Sequence, residues 1–384
     1  MKIKILLMSL LFLVPVFFLA SGPMNKPARP ADFRDAPRDI PSLTELKSQN
    51  TKEEAGVPDA PKGSVLPTGG NKSPYASVPL PQGSVPGLSR SGDLPLPSLG
   101  PDAEGAFRTA VIYAEGGSFQ PAQAGHSGAA GELRVMQWNA SRGEKLDKLM
   151  QVIKKADPDV LILSETDLYG KIAKGKVMAR EIASALGYSY YTATEFGELL
   201  NKRLGSSGNA IVSRYPLSGG KFVPLPTMKG AGGYDWADNK SQPRTGQRNA
   251  ISAYIEVPGK SGKTMRINLV SLHTENKANA DVRRKQFELS VKELTVPGEP
   301  AILAGDLNTL SPGEGSAFRK YLKKESFIDC SKGDDQGTHM FNMRLDWVIL
   351  QPGTDNSLLS KSYKVIDKEG ASDHAPIITE FEIE

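Results

Sequence analysis

The sequence predicts a four-layer α/β sandwich over residues 131–384, in which helices flank two packed, mixed β-sheets. Short, continuous apolar runs, such as residues 160–163, are typical of buried strands. In the first half of the region these runs alternate with amphipathic helical segments, and in the second half strands predominate. The length of the region suits one domain of this kind.

Amphipathic segments predict the helices, and the apolar runs between them predict the strands. Apolar residues recur with helical spacing at Leu146, Leu149 and Ile153, and Pro158 stops this first helix. The predicted helices are 145–156, 171–186 and 280–295. The predicted strands are 133–139, 160–164, 188–194, 208–213, 249–257, 265–272, 301–305, 345–350, 361–366 and 376–383.

Residues 1–22 have the layout of a secretory signal peptide. Lys2 and Lys4 precede an unbroken apolar stretch from Ile5 to Ala20, and small residues follow where a signal peptidase cuts. The alternative is an uncleaved membrane anchor, although the stretch is shorter than the roughly 20 residues that cross a bilayer. We therefore expect an exported protein, periplasmic or secreted, which is membrane-anchored only if the signal is retained.

Residues 23–130 are rich in Pro, Gly, Ser and Ala, which predicts a mostly extended, disordered tether. Within it, Val85 and residues 94–99 are candidates for docking on the folded domain, and residues 107–114 for an added edge strand. The single cysteine, Cys330, fits an exported protein without disulfides and has no nucleophile signature around it. The net charge of +4 neither requires nor excludes a polyanionic substrate.

Polar residues suited to metal-assisted phosphate chemistry stand at or near the ends of six apolar runs. They are Asn139, Glu165, His273, Asp306 with Asn308, Asp346, and Asp373 with His374. Catalytic groups are often carried on loops that a rigid scaffold holds in place. Six such coincidences in one domain indicate a single site.

The acidic members of this set have distinct chemical uses. Asp306 can orient a water molecule and accept its proton, and Asn308 can hold that water or a phosphoryl oxygen. The alternative for both is an ordinary turn, which Gly305 would make tight. Glu165 has no basic neighbour and needs a cation or hydrogen bonds, and Mg²⁺ prefers such hard oxygen ligands. Its alternative role is an acid at a helix N-terminus.

Two of the four histidines follow this pattern. His374 can donate a proton or a hydrogen bond to a negative oxygen, and the buried acid Asp346 can hold its tautomer. His273 supplies a second imidazole. His126 lies in the tether, and His339 precedes the Asp346 strand, where a structural role is the simpler interpretation.

Together these residues resemble the endonuclease/exonuclease/phosphatase superfamily. Each motif is weak alone, but their order and approximate spacing match across essentially all of 132–384. The resemblance does not extend to the signal or the tether. The motifs are Gln137-Trp138-Asn139, Leu163-Ser164-Glu165-Thr166, residues 208–217, His273-Thr274, Gly305-Asp306-Leu307-Asn308, Arg344-Leu345-Asp346-Trp347 and Ser372-Asp373-His374-Ala375-Pro376.

The resemblance implies a divalent metal, usually Mg²⁺ with Mn²⁺ or Ca²⁺ as alternatives, bound by Glu165. Asn139 and Asp373 would assist that metal directly or through water. It also implies that Asp306 activates the attacking water beside Asn308, and that His374, backed by Asp346, faces the scissile phosphate. His273 stands where the deoxyribonuclease, sphingomyelinase and 5-phosphatase branches place a histidine. Arg214 and Arg248 are candidates for phosphate contacts, although Arg214 belongs to a common structural motif.

A nuclease-like phosphodiesterase, working by in-line attack of an Asp-activated water, is the favoured function. The basic insertion 218–248 contains Trp236, and it predicts either contacts to a nucleic acid with Trp236 stacked on a base, or a solvated loop. A lipid phosphodiesterase of the sphingomyelinase or phospholipase C type is the alternative, although no exposed aromatic hairpin is evident. A non-catalytic binding module would not need the whole residue set. No stable protein partner is evident, and we expect a monomer.

Overall fold

The computed structural model describes residues 114–119, 131–168, 170, 172, 174–200, 203–236 and 244–384. The predicted signal peptide and most of the predicted tether lie outside these residues, so export and the tether remain predictions. Within the described part of the chain, no helix is both long and apolar enough to cross a membrane.

The described residues contain fourteen strands and four α-helices. The strands are β1 (Ala114–Ser118), β2 (Glu132–Asn139), β3 (Val160–Leu168), β4 (Ser189–Leu200), β5 (Arg203–Ser213), β6 (Ser218–Pro224), β7 (Arg244–Gly246), β8 (Asn249–Pro258), β9 (Thr264–His273), β10 (Ala301–Asp306), β11 (Ile328–Asp329), β12 (Asp346–Gln351), β13 (Leu358–Val365) and β14 (Ile377–Ile383). The helices are α1 (Leu146–Ala156), α2 (Met178–Leu186), α3 (Ala280–Leu294) and α4 (Pro312–Lys324).

The strands form two mixed sheets. The first has the order β1-β4-β5-β3-β2-β14-β13, with β7 added to β4, and only β2 and β3 run parallel among its described pairs. The second has the order β11-β12-β10-β9-β8-β6, in which β9 and β10 are the parallel pair. Two sheets that each join one parallel pair to antiparallel neighbours confirm the predicted mixed topology.

Three hydrophobic layers show that the predicted four-layer sandwich is correct. Alternate residues of the strands from both sheets, such as Val135 and Ile302, meet in the layer between them. Residues on the other side of β2, such as Trp138, pack with α1 and α2, and those of β10 and β12 pack with Phe287 of α3 and Phe318 of α4. Each sheet is therefore covered by helices on its outer face.

Some predicted elements differ from those in the structure. The second helix begins at Met178, not near residue 171, and the last helix, α4, has no counterpart among the predicted elements. Ser311 caps α4 by accepting a hydrogen bond from the Glu314 amide, and Pro312 occupies its first turn. The insertion 218–248 is not simply a loop, because its ends form β6 and β7.

Strand β1 forms one edge of the first sheet, close to the edge strand that the sequence predicted. An edge strand was predicted at residues 107–114; β1, which begins at the last of these residues, pairs with β4 at that edge. Residues 107–113 themselves lie outside the described residues.

Cys330 is buried, and burial raises the pKa of its thiol to about 12, which agrees with the absence of a nucleophile signature.

Candidate active site

Three predicted site residues stand side by side on neighbouring strands of the second sheet. Asp306 ends the central strand β10, where it pairs in register with His273 of β9 and with Asp346 of β12. All three lie at the end of the sheet where the parallel strands β9 and β10 end and the antiparallel strand β12 begins. The close approach of β9 requires Gly305, because a Cβ atom there would lie 1.8 Å from the Leu272 carbonyl oxygen. The glycine therefore serves strand packing and not the tight turn that the sequence suggested.

The first sheet completes this cluster from across the sandwich. Side chains alternate along a strand, so Gln137 and Asn139 share the inner face of β2 with the core residue Val135. The amide of Asn139 donates a hydrogen bond of 3.0 Å to Asp306 Oδ2, and that of Gln137 donates one of 2.8 Å to Asp346 Oδ1. The site therefore lies at one end of the seam between the two sheets.

Asp306 is the centre of the cluster. Its Oδ2 lies 3.6 Å from His273 Nε2 and 3.8 Å from His374 Nε2. Its Oδ1 accepts a 2.9 Å hydrogen bond from the backbone N–H of Asn308. Burial, and after it the charge of Asp346, raises the pKa of Asp306 above its ordinary value, although the two imidazoles oppose this. A buried carboxylate with a raised pKa is a stronger base than an exposed one.

His374 and Asp346 form a tightly bonded imidazole–carboxylate pair. His374 Nδ1 lies 2.7 Å from Asp346 Oδ2, which also accepts a 2.5 Å hydrogen bond from the Thr338 hydroxyl. Burial alone would lower the pKa of His374, but the Asp346 carboxylate outweighs it and raises that pKa to about 10. The pair therefore holds a charged imidazolium whose Nε2 points to the Asp306 side.

His273 is held by a second buried pair. Arg248 Nη1 donates to His273 Nδ1 at 2.8 Å and lies 3.2 Å from Glu195 Oε2. Since arginine is only a donor, His273 Nδ1 must be the acceptor, which leaves the proton on Nε2 facing Asp306. Burial alone would raise the pKa of Glu195, but the ion pair with the Arg248 guanidinium holds that pKa below its ordinary value.

Glu165 differs from the other acids because it has no partner among the described residues. It lies at a β-bulge of β3, between the paired residues Leu163 and Thr166, with a φ of 52°. Its side chain is partly buried, and none of its contacts with described residues is a hydrogen bond or an ion pair. Its charge and that of Asp306 both act on Arg248. Glu165 and Asp306 therefore lie near one guanidinium, which agrees with the predicted single site.

The unpaired Glu165 carboxylate makes this position fit a divalent cation. A partly buried carboxylate without a hydrogen bond is stabilised by a bound cation, and one or two carboxylates with water suffice for Mg²⁺. Asn139 Oδ1 accepts a 3.1 Å hydrogen bond from the Ser141 amide and keeps a second lone pair for such a cation or its water.

Asp373 lies on the exposed side of the cluster, with 55% of its side chain accessible. Its Oδ2 is 3.6 Å from His339 Nε2, and the ring centroids of His339 and His374 are 4.4 Å apart. The structure thus places His339 beside His374, whereas the sequence indicated a structural role. His339, Asp373 and His374 form one group with metal-ligand spacing, and Asp306, Asp346 and His374 form another.

Two residues suggested for phosphate contact lie elsewhere. Arg214 follows Ser213, which pairs with Val160 at the beginning of β3, and it contacts Asp157 and Asp159. It is therefore at the opposite end of β3 from Glu165, so its predicted substrate contact is wrong. Arg248 is 3% exposed and lies behind His273, a position suited to orienting that imidazole.

The predicted stacking of Trp236 on a base is also wrong. Trp236 is buried, its indole N–H donates to Glu275 at 2.9 Å, and its ring contacts Phe196 and Tyr234 edge-on. The interpretation as a fully solvated loop is equally wrong at this residue. Trp236 instead belongs to the wall behind Arg248, since Glu275 also lies 3.9 Å from Arg248 Nε.

Several supporting residues were not identified from the sequence. They are Gln137, Glu195, Thr338 and His339. Gln137 could have been found, because it stands two residues before Asn139 in an apolar strand and so shares its face. Glu195, Thr338 and His339 carry no comparable sequence signal.

The seam of the two-sheet sandwich thus ends in acids and imidazoles grouped around the buried Asp306. The family model described as "Endonuclease/Exonuclease/phosphatase family" matches residues 136–374. The chain belongs to this family, whose members are divalent-metal-dependent hydrolases that include phosphodiesterases and phosphatases. No curated protein matches the sequence.

The solved structures to which the chain is similar come from several organisms. The endonuclease/exonuclease/phosphatase of Beutenbergia cavernae is 22% identical, with a TM-score of 0.51, and the match covers 66% of this chain and 72% of that chain. A humanized D. rerio TDP2 is 17% identical, with a TM-score of 0.47, over 66% of this chain and 100% of that chain. The mannosyl-6-phosphatase of Bacteroides thetaiotaomicron is 18% identical, with a TM-score of 0.45, over 65% and 99%. The similarity to the Beutenbergia protein shows a shared fold.

Proposed function

We propose that this protein is a divalent-metal-dependent phosphodiesterase, and that nucleic acid is its substrate class. The observation that carries the proposal is the placement of Asp306 between two imidazole Nε2 atoms, at 3.6 and 3.8 Å, with Asn139 donating to the same oxygen. A buried base next to two proton-bearing groups is what in-line hydrolysis of a phosphoester requires.

Asp306 receives a proton from the attacking water. As the water oxygen forms its bond to phosphorus, the water proton passes to Asp306, whose raised pKa favours this transfer. Asn139 and the Asn308 amide hold the carboxylate in place during attack. The bond from phosphorus to the leaving oxygen then breaks, and the developing charge on that oxygen needs a donor.

His374 is the donor best placed for that charge. Its imidazolium is fixed by Asp346, and its Nε2 is the atom that faces the Asp306 side of the site. His273, with the Nε2 proton that its bond to Arg248 implies, donates to a second phosphoryl oxygen. Neither imidazole has to reorganise during the reaction, because a buried carboxylate or guanidinium holds each one.

Glu165, Asn139 and Asp373 are the proposed metal-binding residues. A divalent cation held there, Mg²⁺ in our proposal, supplies Lewis-acid stabilisation of the negative phosphoryl oxygens. The unpartnered Glu165 carboxylate supports this assignment most directly, because hydrogen bonds within the protein already engage Asp346.

Two cationic side chains beside Trp236 support nucleic acid over a lipid headgroup as the substrate. Lys277 Nζ and the Arg244 guanidinium lie 4.6 and 4.3 Å from the centre of the Trp236 ring, on the His273 side of the site. Lys277 is exposed. Cations in addition to Arg248, which holds His273, favour a polymer that carries further phosphates.

The purified protein should be incubated with plasmid DNA, a single-stranded oligonucleotide, RNA, sphingomyelin vesicles and bis(p-nitrophenyl) phosphate. Each incubation contains Mg²⁺, Mn²⁺, Ca²⁺ or EDTA. We expect cleavage of nucleic acid with a metal and none in EDTA. Asp306→Asn and Glu165→Gln should lose about 10²–10⁴-fold in kcat. Asp355→Asn, which removes an exposed carboxylate from a turn near Gly298, is the matched control.

Three results would contradict the proposal separately. Unchanged turnover by Glu165→Gln, or full activity in EDTA, would remove the metal assignment. Unchanged turnover by Asp306→Asn would remove the base. Cleavage of sphingomyelin with no action on any nucleic acid would assign the site to a lipid phosphodiesterase.

A further inference from the structure

One aromatic side chain next to the site is almost entirely in water. Phe341 is 88% exposed and its neighbour Met340 is 55% exposed, whereas the other exposed large apolar side chains of the described residues lie between 38% and 42%. Large apolar side chains are usually withdrawn from solvent, so an isolated, fully exposed phenylalanine indicates a binding surface.

The segment that carries Phe341 is joined directly to the catalytic pair. Thr338, at its start, donates its hydroxyl hydrogen to Asp346 and accepts a 2.6 Å hydrogen bond from the Ala375 amide through its carbonyl oxygen. His339 follows, with its ring centroid 4.4 Å from that of His374. Phe341 is two residues further along the same segment, so it is tethered close to this pair.

Hydrogen bonds hold this exposed tip in a strained conformation. The amides of Thr338 and His339 both donate to the Met343 carbonyl oxygen, at 2.9 and 3.0 Å. Phe341 and Asn342 have φ values of 57° and 56°, in the left-handed region that residues with a Cβ atom seldom adopt. The Asn342 side chain accepts a bond from Gly337 and fixes the second of them. A strained backbone that presents an aromatic ring to water is typical of functional sites.

We propose that Phe341 stacks on the nucleobase next to the scissile phosphate and thereby selects phosphodiesters that carry a base. The inference rests on the proposed function and adds the group that is recognised beside the phosphate. A base offers a flat apolar face, and one exposed aromatic ring suffices to bind it. Its neighbour Met340 extends the apolar contact.

The surroundings of Phe341 favour a base over a lipid bilayer. Insertion of a protein into a bilayer uses a broad apolar face, whereas this tip offers only two apolar side chains. The single ring therefore matches a single base.

Two single-stranded oligonucleotides test the inference. They are identical except that, in the second, the nucleotides that flank the scissile phosphate lack their bases. The full-length wild type, Phe341→Ala, Phe341→Trp and the control Val296→Ala are compared by kcat/KM on both. Val296 is an exposed apolar residue before β10, at the opposite end of that strand from Asp306.

In the wild type we expect preference for the oligonucleotide with bases. The preference should fall about 5- to 150-fold in Phe341→Ala, the loss that removal of one stacking ring implies. Phe341→Trp should restore it, and Val296→Ala should not change it. An equal preference in the wild type and Phe341→Ala overturns the inference, and so does a wild type that cleaves both oligonucleotides equally.

The same experiment separates this inference from the proposed function. If the wild type cleaves oligonucleotides but Phe341→Ala has no effect, stacking is refuted and the proposed function stands. If Phe341→Ala loses activity only on sphingomyelin vesicles, the ring contacts lipid and the nucleobase assignment is overturned. If the wild type hydrolyses none of the oligonucleotides, bis(p-nitrophenyl) phosphate or vesicles, both fail together.

Discussion

The buried pair of Arg248 and Glu195 makes Arg248→Met the most informative stability variant. Arg248 Nη1 is 3.2 Å from Glu195 Oε2, and their side chains are 3% and 0% exposed. Methionine fills much of the space but leaves Glu195 charged and buried without its cation. Breaking such a pair costs about 3–5 kcal/mol of unfolding free energy. The hydrogen bond that Asn209 donates to Glu195 at 3.0 Å survives and keeps the loss within that range.

Urea unfolding at pH 7, followed by far-UV circular dichroism, measures this loss. The double variant Glu195→Gln/Arg248→Met removes both charges and should recover most of the stability. Glu275 retains its hydrogen bonds from the Trp236 indole and the Lys277 amide, so it does not prevent that recovery. Arg134→Met is the matched control. Its ion pair with Glu380 is nearly half exposed on both sides, and its removal should cost less than about 1 kcal/mol.

Kinetics of the same variants distinguish a positioning role from a substrate contact. Without Arg248, His273 loses the bond that fixes its tautomer, so the double variant should recover stability but remain low in kcat, with KM little changed. An unfolding free energy for Arg248→Met within about 1 kcal/mol of the wild type would refute the buried pair. A raised KM with normal kcat would restore the interpretation of Arg248 as a substrate ligand.

Two further predictions concern pH. Asp346→Asn removes the charge that raises the pKa of His374 to about 10, so the imidazolium is lost near neutral pH. The ratio of wild-type to variant kcat should grow by up to about 10-fold per pH unit between pH 7.5 and 9, and a constant ratio would show that Asp346 is only structural. Burial alone would raise the pKa of Asp329, but hydrogen bonds from Arg344 and Arg319 hold it below its ordinary value. Its contribution to stability is therefore complete above about pH 4 and is lost as pH falls through the folded-state pKa. Urea unfolding of the wild type and Asp329→Asn from pH 7 to pH 3 should show their difference shrinking below about pH 4. A difference that does not change with pH would contradict the assignment.

The ends of the strands were predictable because buried strands have a simple sequence pattern. Apolar runs such as residues 301–305 mark strands, and a polar residue that follows one of them has to lie where that strand ends. That argument placed Asp306 and His273 correctly at strand ends, and the structure brings them into register on adjacent strands. The register itself was not predictable, because it depends on which strands become neighbours.

The supporting residues were less predictable because their partners come from other parts of the chain. Glu195 lies on β4 of the first sheet and Arg248 directly precedes β8 of the second, and nothing in either local sequence shows that the two charges meet. Trp236 was misinterpreted for the same reason, since a basic insertion does not reveal that Phe196 covers its aromatic residue. Helix α4 is different. Ser311, Pro312 and Glu314 form a recognisable N-terminal capping sequence, so that helix was available to sequence analysis.

The position of the site at the seam explains why its geometry depends on the whole sandwich. Asp306 is held by Asn139 from the opposite sheet, and Asp346 is held by Gln137 from that same sheet. Along β10 the inner-face positions before Asp306 are Ile302 and Ala304, both buried in the core. Apolar packing therefore fixes the distance between the sheets, and that distance sets the length of each hydrogen bond across the seam. A core substitution that moves the sheets by a few tenths of an ångström should change the hydrogen bonds around Asp306 before it unfolds the domain.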